Sequence, residues 1–203
     1  MAAADAQSTA NVSDAELVRR VKAGQTEAYA PLVERYQERA VHLAFSLVHH
    51  WEDARDLSQE AFVKAFRQVA SFREEAKFST WFYRIVVNTC RDFQRRARWR
   101  QWRSLDTPSA DDEETSLFDA LPSDGASPDA QAADRELGDA LTRAIERLPT
   151  RQRMAFTLRH LEGLSIEEAA EVLQCAPGTV KAHLFHATAK LQKRLQPFAG
   201  GAS

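Results

Sequence analysis

The sequence of 203 residues predicts an all-α protein built from two helical domains. Apolar residues recur at steps of three and four along most of the chain, which is the pattern of amphipathic helices. No stretch alternates apolar and polar residues convincingly, so no strand is predicted. Between the two helical parts, residues 104–134 carry nine acidic side chains and no basic one. Pro and Gly interrupt this acidic block, so we expect a flexible linker.

The first predicted domain covers residues 13–103, after a disordered tail at 1–12. Ser13 and Glu16 have the spacing of a capping box, and a short helix follows them before Gly24. Periodic apolar residues then predict helices over 26–47, 52–69 and 79–100. Pro31 is compatible with the first of these only because it lies near the start of the helix.

The second predicted domain covers residues 135–196, with a tail at 197–203. Helices are predicted over 137–148 and 151–162, on either side of Pro149. A capping box from Ser165 to Glu168 opens a short helix that ends at Leu173, and a longer helix follows Pro177. A short helix, a turn and a longer helix in this order are typical of a helix-turn-helix. The inner face of the longer helix is predicted to consist of Val180, Leu184, Ala187, Leu191 and Leu195.

The helix over 79–103 carries a basic stripe. At about 100° per residue, five of its polar residues fall within roughly 80° of one another. They are Arg84, Asn88, Arg91, Arg95 and Arg98. Arg binds phosphates, exposed rings such as those of Trp99 and Trp102 stack on bases, and an amide such as Asn88 reads base edges. We therefore expect nucleic-acid binding here, with a merely solvated cationic face as the alternative.

Several classes of protein are not predicted. The chain has no run of 18 apolar residues and no signal peptide, so we expect a cytoplasmic protein without membrane insertion. Cys90 and Cys175 lie far apart without a metal-binding pattern, and His183 and His186 have no third ligand nearby. No Gly-rich phosphate loop or nucleophile elbow is present, so neither an enzyme nor a cofactor is predicted.

Motifs in both domains resemble those of one family. Residues 53–62, 71–73 and 78–89 are similar to region 2 of bacterial sigma factors, and residues 148–153 and 178–183 are similar to region 4. By this resemblance the chain is identified as a member of the extracytoplasmic-function (ECF) group. The implied partners are core RNA polymerase, through its β′ clamp helices and β flap, promoter DNA, and an anti-sigma factor. A LuxR-type regulator is the alternative, because residues 178–184 also resemble its helix-turn-helix.

The resemblance also implies roles for individual residues. The loop from Ser71 to Lys77 is expected to capture a flipped base of the −10 element. The expected clamp contacts are Asp56, Gln59 and Glu60. The expected −10 contacts are Lys64, Phe72, Arg84, Asn88, Arg91 and Arg95. The expected −35 contacts are Thr179, Lys181, Ala182, Phe185 and His186.

The chain departs from the family pattern at the turn and in the recognition helix. Gln174 occupies a turn position where Gly is common, and a left-handed conformation there costs a non-Gly residue roughly 1 kcal/mol. His183 and His186 stand where Arg is common, a difference that concerns which −35 sequence is bound and not the mode of binding. The acidic linker is expected to mimic nucleic acid in the polymerase channels, with Leu117, Phe118 and Leu121 as one anchoring point, and a solvated, self-repelling spacer is the alternative.

Overall fold

The computed structural model describes residues 12–73, 75–103, 138 and 140–199. The described part of the first half contains four α-helices: α1 (Asp14–Lys22), α2 (Ala30–Val48), α3 (Trp51–Gln68) and α4 (Phe78–Arg103). Short 3₁₀ turns at Thr26–Tyr29 and Val69–Ser71 precede α2 and follow α3. The acidic linker lies outside the described residues, so its mimicry of nucleic acid stays a prediction.

The second half is helical as well. Residues 140–146 form a helical segment, followed by α5 (Thr150–Phe156), a π-helical turn (Thr157–Leu161), α6 (Ile166–Leu173) and α7 (Pro177–Ala199). The predicted all-α fold with its helix-turn-helix is thereby confirmed. Helix α7 extends through Pro197, two residues beyond the expected end.

The two predicted capping boxes differ in the structure. At Ser165 both bonds form: its Oγ accepts from the Glu168 N–H at 3.0 Å, and its own N–H donates to the Glu168 carboxylate at 2.7 Å. Ser13 Oγ accepts from the Glu16 N–H at 3.3 Å. The Glu16 carboxylate, however, pairs with Arg19 and Arg20 at 2.7 and 2.9 Å. Two nearby guanidinium groups thus take the carboxylate away from the helix start.

Local chemistry also shifts two predicted helix boundaries. Residues 26–29 form a 3₁₀ turn rather than the first α-helical turn, because Pro31 has no N–H to donate to the Glu27 carbonyl. The helix predicted over 151–162 changes to a π-helical turn after Phe156. The Glu162 N–H accordingly donates to Thr157 O at 2.9 Å, five residues back.

The first-half helices pack around a shared apolar core. Helix α4 turns Phe82, Ile85 and Val86 inward, as its periodicity predicts, against Leu32 and Leu43 of α2. This core continues into the second half of the chain. Leu158, Leu164, Val172 and Val180 belong to the same buried cluster, whereas a smaller cluster joins residues 144–148 to α7. The helix-turn-helix thus packs directly on the first half.

Arg153 makes a buried polar link between the two halves. It is 3% exposed, and its Nε donates to Ser46 O, in the last turn of α2, at 2.8 Å. Its Nη1 donates to Glu146 O and, at 3.3 Å, to Leu148 O, and its Nη2 contacts the His49 ring. Burial lowers the pKa of Arg153 to about 10. One guanidinium therefore satisfies the carbonyl ends of two helices.

The turn of the helix-turn-helix has the strained conformation that the sequence suggests. Gln174 lies in the left-handed region with φ 56° and ψ 50°. The N–H of Cys175 donates to Ala170 O at 3.1 Å and closes the end of α6. A side chain at position 174 therefore has a steric cost that Gly does not have.

Gln174→Gly is expected to raise the free energy of unfolding by about 0.5 kcal/mol, because relief of left-handed strain exceeds the added freedom of the unfolded chain. Urea denaturation measures the change. Gln174→Ala is the matched control, since it removes the side-chain amide but keeps the β-carbon, and it should not stabilise. Equal stability of the Gly and Ala variants would contradict the strain argument.

Candidate functional site

The first turns of α7 present an exposed face to solvent. Lys181, Ala182, Phe185 and His186 are exposed, and Thr179 is half-buried. The ring of Phe185 is 72% exposed, an unusual position for a large aromatic side chain. The opposite face, with Val180, Ala187 and Leu191, is buried as predicted. The structure therefore brings the expected −35 residues together on one free surface.

The expected polymerase contacts lie on α3. Asp56 and Gln59 are exposed, whereas Glu60 is half-buried and pairs with Lys64 at 2.7 Å. Lys64 Nζ also donates to Thr89 Oγ1 of α4 at 3.1 Å. Lys64 thus links the expected polymerase face to the helix that carries the basic stripe.

The basic stripe of α4 is only partly open. Arg84 and Arg95 are exposed, and Arg95 pairs with Asp92 at 3.0 Å. Asn88 and Arg91 are half-buried. Arg91 Nη2 donates to Leu173 O at 3.0 Å, and its Nη1 approaches Gln174 Oε1 at 3.4 Å. The end of α6 therefore already binds Arg91, and burial there lowers the pKa of its guanidinium group.

Phe72 does not have the exposed ring that a direct base contact requires. It is 4% exposed, and its ring centroid lies 5.0 Å from that of Trp81 and 6.2 Å from that of Phe78. In this conformation Phe72 is therefore a buried anchor beneath the loop, and its expected contact with a flipped base stays a prediction. Residues 71, 73 and 75–77 are the exposed part of the loop that the structure describes.

Helix α6 also holds the far end of this loop. Lys77 Nζ pairs with Glu168 Oε1 at 3.0 Å. Glu168 is the same residue that completes the capping box, and the N–H of Ser165 lowers the pKa of its carboxyl. One short helix therefore contacts both the loop and the stripe.

A buried polar cluster between the two halves was missed by sequence reasoning. The hydroxyl of Tyr83 donates to the Glu162 carboxylate, and Arg39 Nε lies 3.8 Å from that carboxylate. The Glu162 side chain is 3% exposed. Burial raises its pKa, and the Tyr83 hydroxyl and Arg39 oppose that shift. The partners lie 79 positions apart in sequence, so no local motif marks them.

The described parts of the chain contain no group of three or more His, Cys, Asp or Glu side chains arranged to hold a metal ion. None of their helices has the length and apolar character needed to cross a bilayer. Cys90 is buried, which raises the pKa of its thiol to about 12, and Cys175 is half-buried.

An arginine-bearing helix and an exposed recognition helix in one chain define a helical DNA-binding protein of the helix-turn-helix class. The family model for sigma-70 region 2 matches residues 32–100, and that for sigma-70 region 4 matches residues 138–191. The RNA polymerase sigma-H factor of Pseudomonas aeruginosa is 39% identical over 184 residues, covering 91% of this chain and 94% of that protein. The ECF RNA polymerase sigma-E factor of Escherichia coli K12 is 38% identical over 186 residues, covering 92% of this chain and 96% of that protein.

The chain therefore belongs to the sigma-70 family, in its ECF group, and is an RNA polymerase sigma factor. The LuxR-type alternative is set aside, because both sigma regions match in the expected order. The structure of the sigma factor RpoE with the anti-sigma factor NepR from Bartonella quintana is 26% identical, covering 83% of this chain and 96% of that one with a TM-score of 0.62. The structure of CnrH with the cytosolic domain of CnrY has the same fold, at 24% identity and a TM-score of 0.60, covering 89% and 96%.

Glu162→Gln is expected to raise the melting temperature at pH 7 by about 1–3 °C, because a neutral amide costs less to bury and still accepts from Tyr83. Burial raises the pKa of Glu162 above 4.5. Its stabilising contribution is therefore fully present below pH 4.5 and is lost as pH rises through the raised value. Calorimetry should show a difference between variant and wild type that grows with pH. The exposed Glu34→Gln is the control, and a pH-independent difference would contradict the argument.

Proposed function

We propose that three separate surfaces of this sigma factor divide the work of initiation. The face of α3 with Asp56, Gln59 and Glu60 docks on the clamp helices of the polymerase β′ subunit. Helix α4 and the loop before it engage the −10 element, with Asn88 on a base edge. The exposed face of α7 reads the −35 element, and region 4 also contacts the β flap.

The observation that carries this proposal is the placement of the exposed recognition helix α7 and the arginine stripe of α4 on two matched regions of one chain. One polypeptide can therefore contact two promoter elements while a third surface holds the enzyme. The acidic residues of α3 suit a cationic partner, because opposite charges steer docking and fix its register.

The contacts of α6 support a further step in this proposal. Arg91 and Lys77 are both engaged by α6, so the two halves separate before these side chains meet −10 DNA. Ser71–Lys77 remains the proposed base-capturing loop, with Phe72 as its foundation. Region 2 supplies no chemistry of its own in this scheme: the polymerase is the catalyst, and the sigma factor acts without enzymatic activity in the cytoplasm.

An anti-sigma factor completes the proposed set of partners. The Bartonella quintana RpoE, which is 26% identical with a TM-score of 0.62, was solved with its anti-sigma factor NepR. That likeness supports a regulator of the same class for this chain.

The proposed function is tested by combining the full chain with core RNA polymerase and a promoter library. Gel shifts and run-off transcription are expected to show tight, sequence-specific binding and initiation only when both proteins are present, because each DNA surface is small and Arg91 is engaged in the free chain. Tight specific binding by the free chain would contradict this division of labour.

Asp56→Arg is expected to weaken binding to core polymerase at least tenfold, since charge reversal turns attraction into repulsion. Asp56 is exposed, so circular dichroism should show unchanged helical content. Glu34→Arg makes the same reversal on an exposed position of α2, outside the proposed face. Equal core affinity of the two variants would remove Asp56 from the interface.

Lys181→Ala tests the −35 surface. If Lys181 binds a phosphate, binding to every −35 sequence weakens alike; if it reads a base, the loss is selective and about 1–3 kcal/mol at one position. His186→Ala is expected to relax sequence preference, because its ring lies on the same exposed face. Lys190→Ala, an exposed charge farther along α7, is the matched control in the library screen. Wild-type affinity together with wild-type sequence selection in both test variants would show that another face meets the DNA.

A further inference from the structure

Helix α1 precedes the matched region 2, which begins at residue 32, yet it is firmly attached to that region. Leu17, Val18 and Val21 are buried in the common core. Asp14 at its start accepts hydrogen bonds from Arg35 at 2.8 Å and from the Tyr36 hydroxyl. The position of the last turn of α1 is therefore fixed relative to α2.

The last residue of α1 reaches the start of the proposed base-capturing loop. Lys22 Nζ donates to the carbonyl oxygen of Phe72 at 2.5 Å. The same ammonium group lies 5.5 Å from the centroid of the Phe72 ring, a cation–π distance. Lys22 and Phe72 are 50 positions apart in sequence, so the fold rather than local geometry creates this contact.

Phe72 is the residue at which the 3₁₀ turn ends and the loop continues. Its N–H closes the 3₁₀ turn by donating to Val69 O at 3.1 Å, and its own backbone is extended, with φ −63° and ψ 122°. Its ring is held beneath α4 by Trp81 and Phe78. The remaining backbone group of Phe72, its carbonyl, accepts from Lys22. This hydrogen bond sets the direction in which the chain continues into the exposed residues 73 and 75–77.

We propose that Lys22 is a positioning residue for the base-capturing loop of region 2, acting through the Phe72 carbonyl. This inference rests on the proposed function of that loop. The other anchor of the loop, the pair between Lys77 and Glu168, belongs to region 4 and is lost when the two regions separate. The Lys22 anchor lies wholly within the first half and persists in the open chain. It holds the loop in its conformation when an unstacked base binds.

The rival role for Lys22 is a direct phosphate contact, and the two roles differ in what they leave unchanged. A phosphate contact lowers affinity for all DNA and reduces the salt dependence of binding by about one ion. A positioning role leaves duplex affinity and its salt dependence alone and slows only the capture of the flipped base.

The experiment uses holoenzyme assembled from the full chain, and a promoter from the library carrying 2-aminopurine in place of a −10 adenine. Lys22→Met is expected to slow the fluorescence rise that reports promoter opening about tenfold, because the variant loses a charge-assisted hydrogen bond. Lys22→Arg and Lys22→Gln can both donate to the carbonyl and are expected to restore most of the rate. Arg19→Met, which removes an equal charge from the same helix but pairs with Glu16, is the matched control.

Two outcomes would overturn the proposal. One is an opening rate for Lys22→Met equal to that of Arg19→Met. The other is a parallel loss of duplex affinity and salt dependence with no recovery in Lys22→Gln, which identifies a phosphate contact instead. Melting temperatures of all variants report any loss of folding. Replacement of residues 73–76 by Gly and Ser tests the loop itself. An unchanged opening rate in this loop variant would refute the proposed role of the loop and, with it, this inference. A slow loop variant together with a normal opening rate for Lys22→Met would refute the inference alone.

Discussion

The arrangement of this sigma factor depends on how the carboxyl end of α2 is satisfied. The last turn of a helix leaves carbonyl groups without partners, and leaving them buried costs free energy. The His49 N–H donates to Phe45 O, the Arg153 side chain donates to Ser46 O, and the Gln94 side-chain amide donates to Leu47 O. Arg153 comes from region 4, and it is itself tolerated in the interior because the carbonyl groups of Ser46, Glu146 and Leu148 accept hydrogen bonds from it. Removing it would leave unpaired groups on both sides of the interface.

Once Arg153 fixes α5 against α2, the position of α6 follows. Leu158, Leu164 and Val172 complete the apolar core, and Tyr83 meets Glu162 beside them. The two ends of α6 then reach different parts of the proposed −10 surface: Glu168 reaches the loop, and the Leu173 carbonyl reaches the stripe. The outward face of α7 takes no part in this closure and is exposed. Under the proposed function, Lys77 and Arg91 serve either this closed fold or the DNA, whereas the proposed −35 surface is exposed already in the closed fold.

Sequence patterns predicted what depends on neighbours in the chain. Residues within a few turns of one another determine the helix positions, the inner and outer faces of α7, the capping box at Ser165 and the strained turn at Gln174. The burial of Phe72 was not predicted, because it depends on Trp81 and Lys22, which lie outside the loop. Contacts such as that of Arg153 with Ser46, 107 positions apart, have no local signature. The polymerase and DNA roles of individual residues came from resemblance to a family, which neither periodicity nor the fold alone can supply.

The different burial of the two cysteines has a practical consequence. Burial raises the pKa of the Cys90 thiol to about 12, so at neutral pH almost none of it is the reactive thiolate. Cys175 is half-buried at the turn between α6 and α7, one residue after Gln174, which contacts Arg91. A thiol-directed fluorophore would therefore attach at Cys175 in the folded wild-type chain, with no cysteine added or removed. Its emission would follow the separation of the two regions as polymerase is added, in real time and at a single position.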